Sequence, residues 1–476
     1  MKGQVFSTCP FFFVRHNSKE MKGIDINLGR KLTEAEEEYV YKHLRMHIEI
    51  EGDGEIRDLI EMPKSGRGME RDFRIGEIPV LFPCSEKEEA YREEGGHIVF
   101  NHDLIKSSFY LLSCYQEYAT EERDAWGRYR YKDSIQAYWD MARKPIVNYY
   151  FEWMVEGIAK ECEHRGIAYK KISPVGGPSV HLTHDLDTLR YYTWKKSLFR
   201  IAQVIGLRNC DTSRGRLAKA GCMSILNKLG LRHDEKTRRD PYWTFERIED
   251  NEAYLGYKST WFLLQEDGSK FGPDYRIDDE DVKEAVNRLI ERGNEVGVHT
   301  TINTAKAADF KAQIEAIKST YKGAKEINRK HFLSIDPDTM AREMEKGGIK
   351  VDCTLGFSEH EGFRSSYCMP HYLFDHEGQR TTEVVEIPLA MMDVTVLTHR
   401  KLIYDEIFLT VGEMLDEVRR FGGVFSLLWH NSTFDETYYP GIETFYEQLH
   451  SLFAQYQLKC YMTYESTKKY IGKTEK

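Results

Sequence analysis

Long apolar runs are missing from this chain: no stretch approaches the ~18 consecutive apolar residues that a bilayer-spanning helix needs. Patterned cysteine is missing too. The nine cysteines are an odd number and none falls in a C-x-x-C pair, which excludes a disulfide framework and a cysteine zinc site. Buried thiols in a reducing cytoplasm are the expectation. The N-terminus, "MKGQVFSTCPFFFVRHNSKE", has a short apolar stretch broken by Cys9 and Pro10 and no recognisable cleavage region, so it is not read as a signal peptide. Excess positive charge is absent: 77 acidic against 67 basic residues give a net charge of −10, which argues against a generally nucleic-acid-binding surface. Internal repeats and low-complexity tracts are absent as well.

What is present describes a soluble globular protein. Hydrophobic residues make up 41% and charged residues 30%, enough to bury a sizeable interior. A length of 476 residues suggests two or three domains. The clearest boundary is "KISPVGGPSVHLTHD", where Pro174, Gly176, Gly177 and Pro178 interrupt periodicity ahead of a β-type run. We therefore expect an N-terminal mixed α/β domain over 1–174 and a second domain over 175–476. In the first, "EIPVLFP" and "GHIVFNH" read as strands. "DLIKSSFYLLSCYQEY" reads as a helix capped by Asp103, and "KPIVNYYFEWMVEGIAKECEHRG" as a helix ending near Gly166. In the second, the strands "SVHLT", "KSTWFLL", "NEVGVH", "HFLSI", "VVEIPLA" and "GVFSLLWH" alternate with helices such as "DDEDVKEAVNRLIERG" and "DPDTMAREMEKGG", as in a parallel sheet or barrel.

One segment departs from the acidic average. Residues 195–240 carry twelve Lys/Arg against four Asp/Glu, and "TWKKSLFRIAQVIGL" puts Trp194, Leu198, Ile201 and Ile205 on one helical face. The preferred reading is an amphipathic helix packed on its domain with a solvated basic face. The alternative is a peripheral contact with anionic lipid or a phosphorylated glycan carrier.

Asp185, Asp187, His299, Asp393 and His430 all fall at the C-terminal ends of predicted strands, which converge on one face of a β/α barrel. "THDLD", "EVGVHTTIN", "GFRSSY", "EIPLAMMDVT" and "LLWHNS" resemble, in order, the motifs of the polysaccharide deacetylase superfamily, the NodB-homology or carbohydrate esterase family 4 fold. The resemblance spans roughly residues 175–470, and the region before it resembles an accessory domain of some bacterial members. It implies a distorted (β/α) barrel of the NodB-homology type and metal-assisted removal of an acetyl group from an N-acetylated sugar. Carried over, Asp185 matches the catalytic base, Asp187 the metal-binding aspartate and His299 the first histidine of H-[ST]-x-x-H. Arg364 matches the arginine that orients the base, Asp393 the acid that holds the catalytic histidine, and His430 the general acid. The chemistry is coherent: a divalent metal, zinc in the family, polarises a poor amide electrophile, a carboxylate takes a proton from water, and a histidine protonates the leaving amine.

The chain also departs from the pattern. Asn303 stands where the second histidine of the metal motif falls, and a neutral amide oxygen is a weaker, harder ligand than imidazole. His181, His184 and His331 are candidates to compensate, His184 facing away from Asp185 if the strand alternates. Ser365 and Ser366 replace the proline common after the arginine. The leading expectation is a cytoplasmic metal-dependent hydrolase acting on an N-acetylated glycan or glycolipid in surface polysaccharide or lipopolysaccharide metabolism. A hydrolase of another cyclic or linear amide, working without metal, and a non-catalytic glycan-binding scaffold are the alternatives.

Overall fold

A ten-stranded sheet, parallel except at one edge, organises the chain from Ser179 onwards. The computed structural model describes residues 28–52, 55–64, 72–208, 212–229, 240–336 and 339–471. Within the large sheet the strands, in chain order, are β1 (Ser179–Leu186), β2 (Ser259–Leu264), β3 (Glu295–Thr300), β4 (Ile327–Lys330), β5 (Val351–Asp352), β6 (His371–Asp375), β7 (Arg380–Glu386), β8 (Met391–Met392), β9 (Val424–Leu428) and β10 (Lys459–Cys460). Their spatial order is β6-β7-β5-β4-β3-β2-β1-β9-β8, with β10 against the start of β1. Only β6 runs antiparallel to its neighbour. The two ends of this order do not pair, so the sheet is a curled, barrel-like half-barrel rather than a closed ring.

Every residue of β1, β2 and β3 is buried, as expected of parallel strands enclosed on both faces. The helix Glu280–Glu291 shows how the cover forms. Glu280 and Asp281 favour its N-terminus, and Val282, Ala285, Val286 and Leu289 make the stripe it buries. The helix Tyr404–Phe421 ends where Gly422 takes φ 66°, a left-handed conformation that costs glycine nothing.

Two strand expectations shift. The strand expected over "HFLSI" lies one element earlier, at Ile327–Lys330, and His331 begins a tight turn instead. "INRK" reads as polar, yet all four residues are buried with partners the sequence does not reveal. "VVEIPLA" is split: Val384, Val385 and Glu386 end β7, and residues 387–390 lead on to β8.

Before the large sheet, helices Glu34–Leu44, Leu104–Leu112 and Ile146–Arg165 accompany three two-stranded sheets. The helix expected over 103–118 breaks at Cys114, whose φ is 55°. This region packs on the β6–β7 hairpin. Tyr39 and Phe109 meet Phe374 edge-on at 5.1 and 5.2 Å, and one hydrophobic cluster runs from Leu28 to Leu458. No helix among the described residues is long and apolar enough to cross a membrane.

The helix Trp194–Val204 contradicts the preferred packing. It buries Ser197, Arg200 and Gln203 and turns Trp194, Leu198, Ile201 and Ile205 outwards. Polar partners explain the inversion: Ser197 pairs with Ser224, and the Arg200 guanidinium stacks 3.6 Å over Tyr191. Residues 209–211 and 230–239 of the basic segment, including Arg232, Lys236, Arg238 and Arg239, lie outside the described residues.

Neutral histidines hold the N-terminal region to the hairpin. His43 Nδ1 donates to Tyr39 O (2.7 Å) while its Nε2 accepts from the Tyr372 amide (3.0 Å), which requires the uncharged ring. Burial pushes His43 well below the ordinary range, and pushes His47, His371 and His376 down to about 4. Between about pH 6.5 and about pH 4 these rings are protonated in the unfolded chain and not in the folded one, so the unfolded state binds more protons and stability is lost as pH falls. We predict that thermal unfolding moves to lower temperature as pH drops through this window, and that His43→Gln flattens the dependence. A transition temperature insensitive to pH there would refute the assignment.

Candidate active site

The carboxyl ends of β1, β3, β4 and β9 converge on a cavity of about 300 Å³ lined by Asp185, Asp187, His299, His331 and His430. Asp185 is near the end of β1, and Asp187 follows the strand by one residue. His299 comes from the end of β3, His331 from the residue after β4, and His430 from just beyond β9. Close approach of β3 to β4 makes this possible. A side chain at Gly297 would put its Cβ 2.2 Å from Ile327 Cγ1, so only glycine lets the strands carrying His299 and His331 sit this near.

Asp187, His299 and His331 can hold a metal ion: one ligand atom of each lies within 4.8 Å of the others. Asp187 Oδ1 is 3.2 Å from His299 Nε2 and 3.7 Å from His331 Nε2. The donor set fits a divalent cation. His299 Nδ1 donates to Arg329 O at 2.8 Å, so a neutral ring presents its Nε2 lone pair to the carboxylates. Two electron-rich groups facing each other need a cation between them or a proton on the ring. Burial opposes charge on His299, but Asp185 and Asp187 outweigh it and raise its pKa. For His331 burial wins and the pKa falls to about 4, leaving a neutral imidazole suited to ligation. Burial would raise Asp187, yet His299, His331 and His430 hold it well below the carboxylate range.

Asp393, following β8, accepts hydrogen bonds from the backbone N–H and Nδ1 of His430 at 2.8 and 2.7 Å, from the Val394 amide at 2.7 Å, and from Thr433 Oγ1. Burial would raise its pKa, but the His430 charge and the hydrogen bonds from His430 and Thr433 lower it. Burial would discharge His430, but Asp393 raises it to about 10, and its Nε2 points towards Asp187 at 3.7 Å. His430 can therefore carry a proton into the cavity at neutral pH.

Two expected positions are corrected. Arg364 does not line the cavity. Its Nε and Nη2 form a fork with Glu117 at 2.7 and 2.5 Å, and Nη1 donates to Gly356 O. The segment carrying it turns back onto the N-terminal region, where Gln136 bonds Arg364 O. Arg329 of β4 lies beside Asp185 instead, with Nη1 3.7 Å from Oδ1. Asn303 is not among the clustered ligands: its Nδ2 donates to Asp267 at 2.9 Å in an exposed turn. His181 and His184 are also committed elsewhere, to Ser426 and Thr463 and to Trp429 O and Glu252 respectively. His331 is one of the three candidates left open by the sequence, and the strand expected over "HFLSI" puts it at a strand's start, so its residue type alone points to it.

The N-terminal region contributes one wall. Trp126 stacks 4.6 Å from Phe332, Ser334 Oγ bonds Trp126 O, and Arg128, forked to Asp124, donates to Phe332 O at 3.2 Å. These contacts clamp a strained turn, since Phe332 and Leu333 take φ 62° and 54° immediately after His331.

Residues 11–163 match DUF7033, a family of unknown function. No curated protein matches the chain. Among solved structures, the chain is similar to a protein from Mycobacterium smegmatis described as a polysaccharide deacetylase, at 13% identity and TM-score 0.38, over 62% of this chain and 91% of that one. It is similar to the Puue allantoinase at 12% identity and TM-score 0.38, over 63% and 91%.

Two predictions follow from the corrected positions. His331→Ala should weaken zinc binding about 10- to 100-fold or more in chelator competition, while Asn303→Ala leaves it unchanged; the opposite ranking would return Asn303 to the ligand set. Arg364→Ala should destabilise the fold by about 3–5 kcal/mol in urea unfolding, because it leaves Glu117 buried and unpaired. Pairing Arg364→Met with Glu117→Leu should recover most of that loss, and failure to recover would mean that the ion pair is not what stabilises this contact.

Proposed function

We propose that this protein is a metal-assisted hydrolase that removes the acetyl group from an N-acetylated amino sugar of a surface glycan or glycolipid. One observation carries the reading: a carboxylate oxygen without a hydrogen-bond partner, Asp185 Oδ1, and a histidine held protonated, His430, line the same cavity as three clustered ligands. Asp187, His299 and His331 would hold a divalent cation, which when bound would supply Lewis-acid polarisation of the carbonyl and acidify water. Asp185 accepts the proton of the attacking water, with the Arg329 guanidinium 3.7 Å from its Oδ1. His430 then protonates the departing amine nitrogen through Nε2, while Asp393 fixes the ring through Nδ1. Trp126 and Phe332 line one wall of the cavity, and Leu333, Met392 and Val394 surround a space suited to a small acyl group.

A second reading draws on the raised pKa of His299. A protonated imidazole between Asp185 and Asp187 supplies the positive charge itself, which suits metal-free hydrolysis of a cyclic or linear amide. Acetate release from a panel of N-acetyl sugars, with zinc and after chelation, separates the two. Metal-dependent release supports the first reading, and turnover of cyclic amides by the chelated protein supports the second. In either, His430→Ala is predicted to lower kcat by about 10²- to 10⁴-fold, the range of a lost general acid, with little change in transition temperature. Undiminished turnover would remove His430 from the reaction.

A further inference from the structure

We infer that the helical pair Trp194–Val204 and Arg214–Lys228 is a docking face for an anionic lipid bilayer. The first helix is amphipathic in the reverse of the usual sense. Trp194, Leu198 and Ile205 are 59%, 63% and 63% exposed, whereas Ser197, Arg200 and Gln203 are buried. Spacings of four, three and four residues from Trp194 through Leu198 and Ile201 to Ile205 put these side chains on one stripe. Leu207, at 75% exposure, and Leu226 and Leu229 near the end of the second helix extend the apolar surface. Contiguous apolar surface of this kind marks an interaction site.

Charge selects the partner. Lys195, Arg208, Arg214, Arg216 and Lys219 are exposed on the same two helices and their connection. An apolar stripe flanked by cations, with tryptophan at one end, suits the boundary between acyl chains and anionic headgroups. A second copy of this chain seated symmetrically on the face would bring the same cations against each other, which disfavours that occupant. The helices, of 11 and 15 residues, are too short to span a bilayer and fit one that lies in its surface.

The pair is fastened to the rim of the cavity. Lys196 Nζ donates to Arg190 O at 2.6 Å and pairs with Asp274 at 2.9 Å, beside the loop after β1. Thr212 Oγ1 donates to Thr437 O at 3.1 Å, beyond β9. Both loops leave the carboxyl end of the sheet, so docking would bring the cavity's own end of the molecule to the lipid surface.

The test is co-sedimentation of the full chain with vesicles of phosphatidylcholine alone or mixed with phosphatidylglycerol. We expect binding to the mixed vesicles at low ionic strength, on the order of ten-fold or more tighter than to phosphatidylcholine alone, and weakening as salt rises. Leu198→Asp with Ile205→Asp should lower that binding ten-fold or more, as should Lys195→Glu with Arg214→Glu and Arg216→Glu, with unchanged transition temperatures because all five positions are exposed. No binding to mixed vesicles at low ionic strength overturns the proposal, as does binding that neither variant weakens. So does a dimer in sedimentation equilibrium that Leu198→Asp with Ile205→Asp dissolves, which would assign the face to a second copy.

Discussion

The Asp187 carboxylate, set among three imidazoles at the end of a parallel sheet, is the constraint around which the second half of the chain is arranged. His299, His331 and His430 approach it from three different strand ends, at 3.2, 3.7 and 3.7 Å. In a low-dielectric cleft such a group is stable only if positive charge balances the carboxylates of Asp185 and Asp187. The chain supplies part of that balance itself, through Arg329 and through His430 charged by Asp393. The rest must sit where His299 Nε2 faces the carboxylates, as a metal ion or a proton. The same local demand thus leads to both catalytic readings.

Much of this arrangement is legible in the sequence because it is local. Asp185 and Asp187 lie in one short motif at a strand end, and His299 and His430 each close an apolar run that reads as a strand. Gly166 ends its helix as the pattern suggests. What could not be read depends on tertiary pairing. "INRK" has no alternation, so the pattern points to a strand at "HFLSI" and hides that Arg329 and His331 stand at the end of β4. Arg364 sits in a motif that looks right, but its side-chain direction depends on Glu117, 247 residues earlier. Asn303 occupies a metal ligand's place in the motif while the turn carrying it swings towards Asp267. A spacing rule fixes sequence distance and leaves the path of a loop undetermined.

The relation between the two arginines gives the N-terminal region a structural meaning. Arg364 is spent on a fully buried fork with Glu117, joining the N-terminal region to the sheet. Arg329, also fully buried, takes the place beside Asp185, its guanidinium without hydrogen-bond partners and 4.9 Å over the Phe262 ring. A cation held without hydrogen bonds is costly unless nearby carboxylates need it. Asp185 lies on one side, and the Glu386 carboxyl, pushed well up by burial and by Asp352, feels its charge from the other. Arg329 therefore neutralises a buried acidic layer beneath the cavity as well as facing the carboxylate within it.

The clamp on His331 ties these parts together. His331 is followed by two left-handed non-glycine residues, a backbone that costs roughly 1–3 kcal/mol per residue and persists only when its surroundings enforce it. Enforcement comes from outside the sheet: Trp126 stacks on Phe332, Arg128 holds its carbonyl, and Ser334 bonds back to Trp126. A sheet domain lacking residues 124–128 would leave this turn unsupported and let it relax, carrying His331 away from Asp187. The N-terminal region is thus part of the apparatus that sets the geometry of the cavity. Its attachment through the Arg364–Glu117 fork and the neutral histidines of the β6–β7 contact helps hold Trp126 and Arg128 in register with the strand ends.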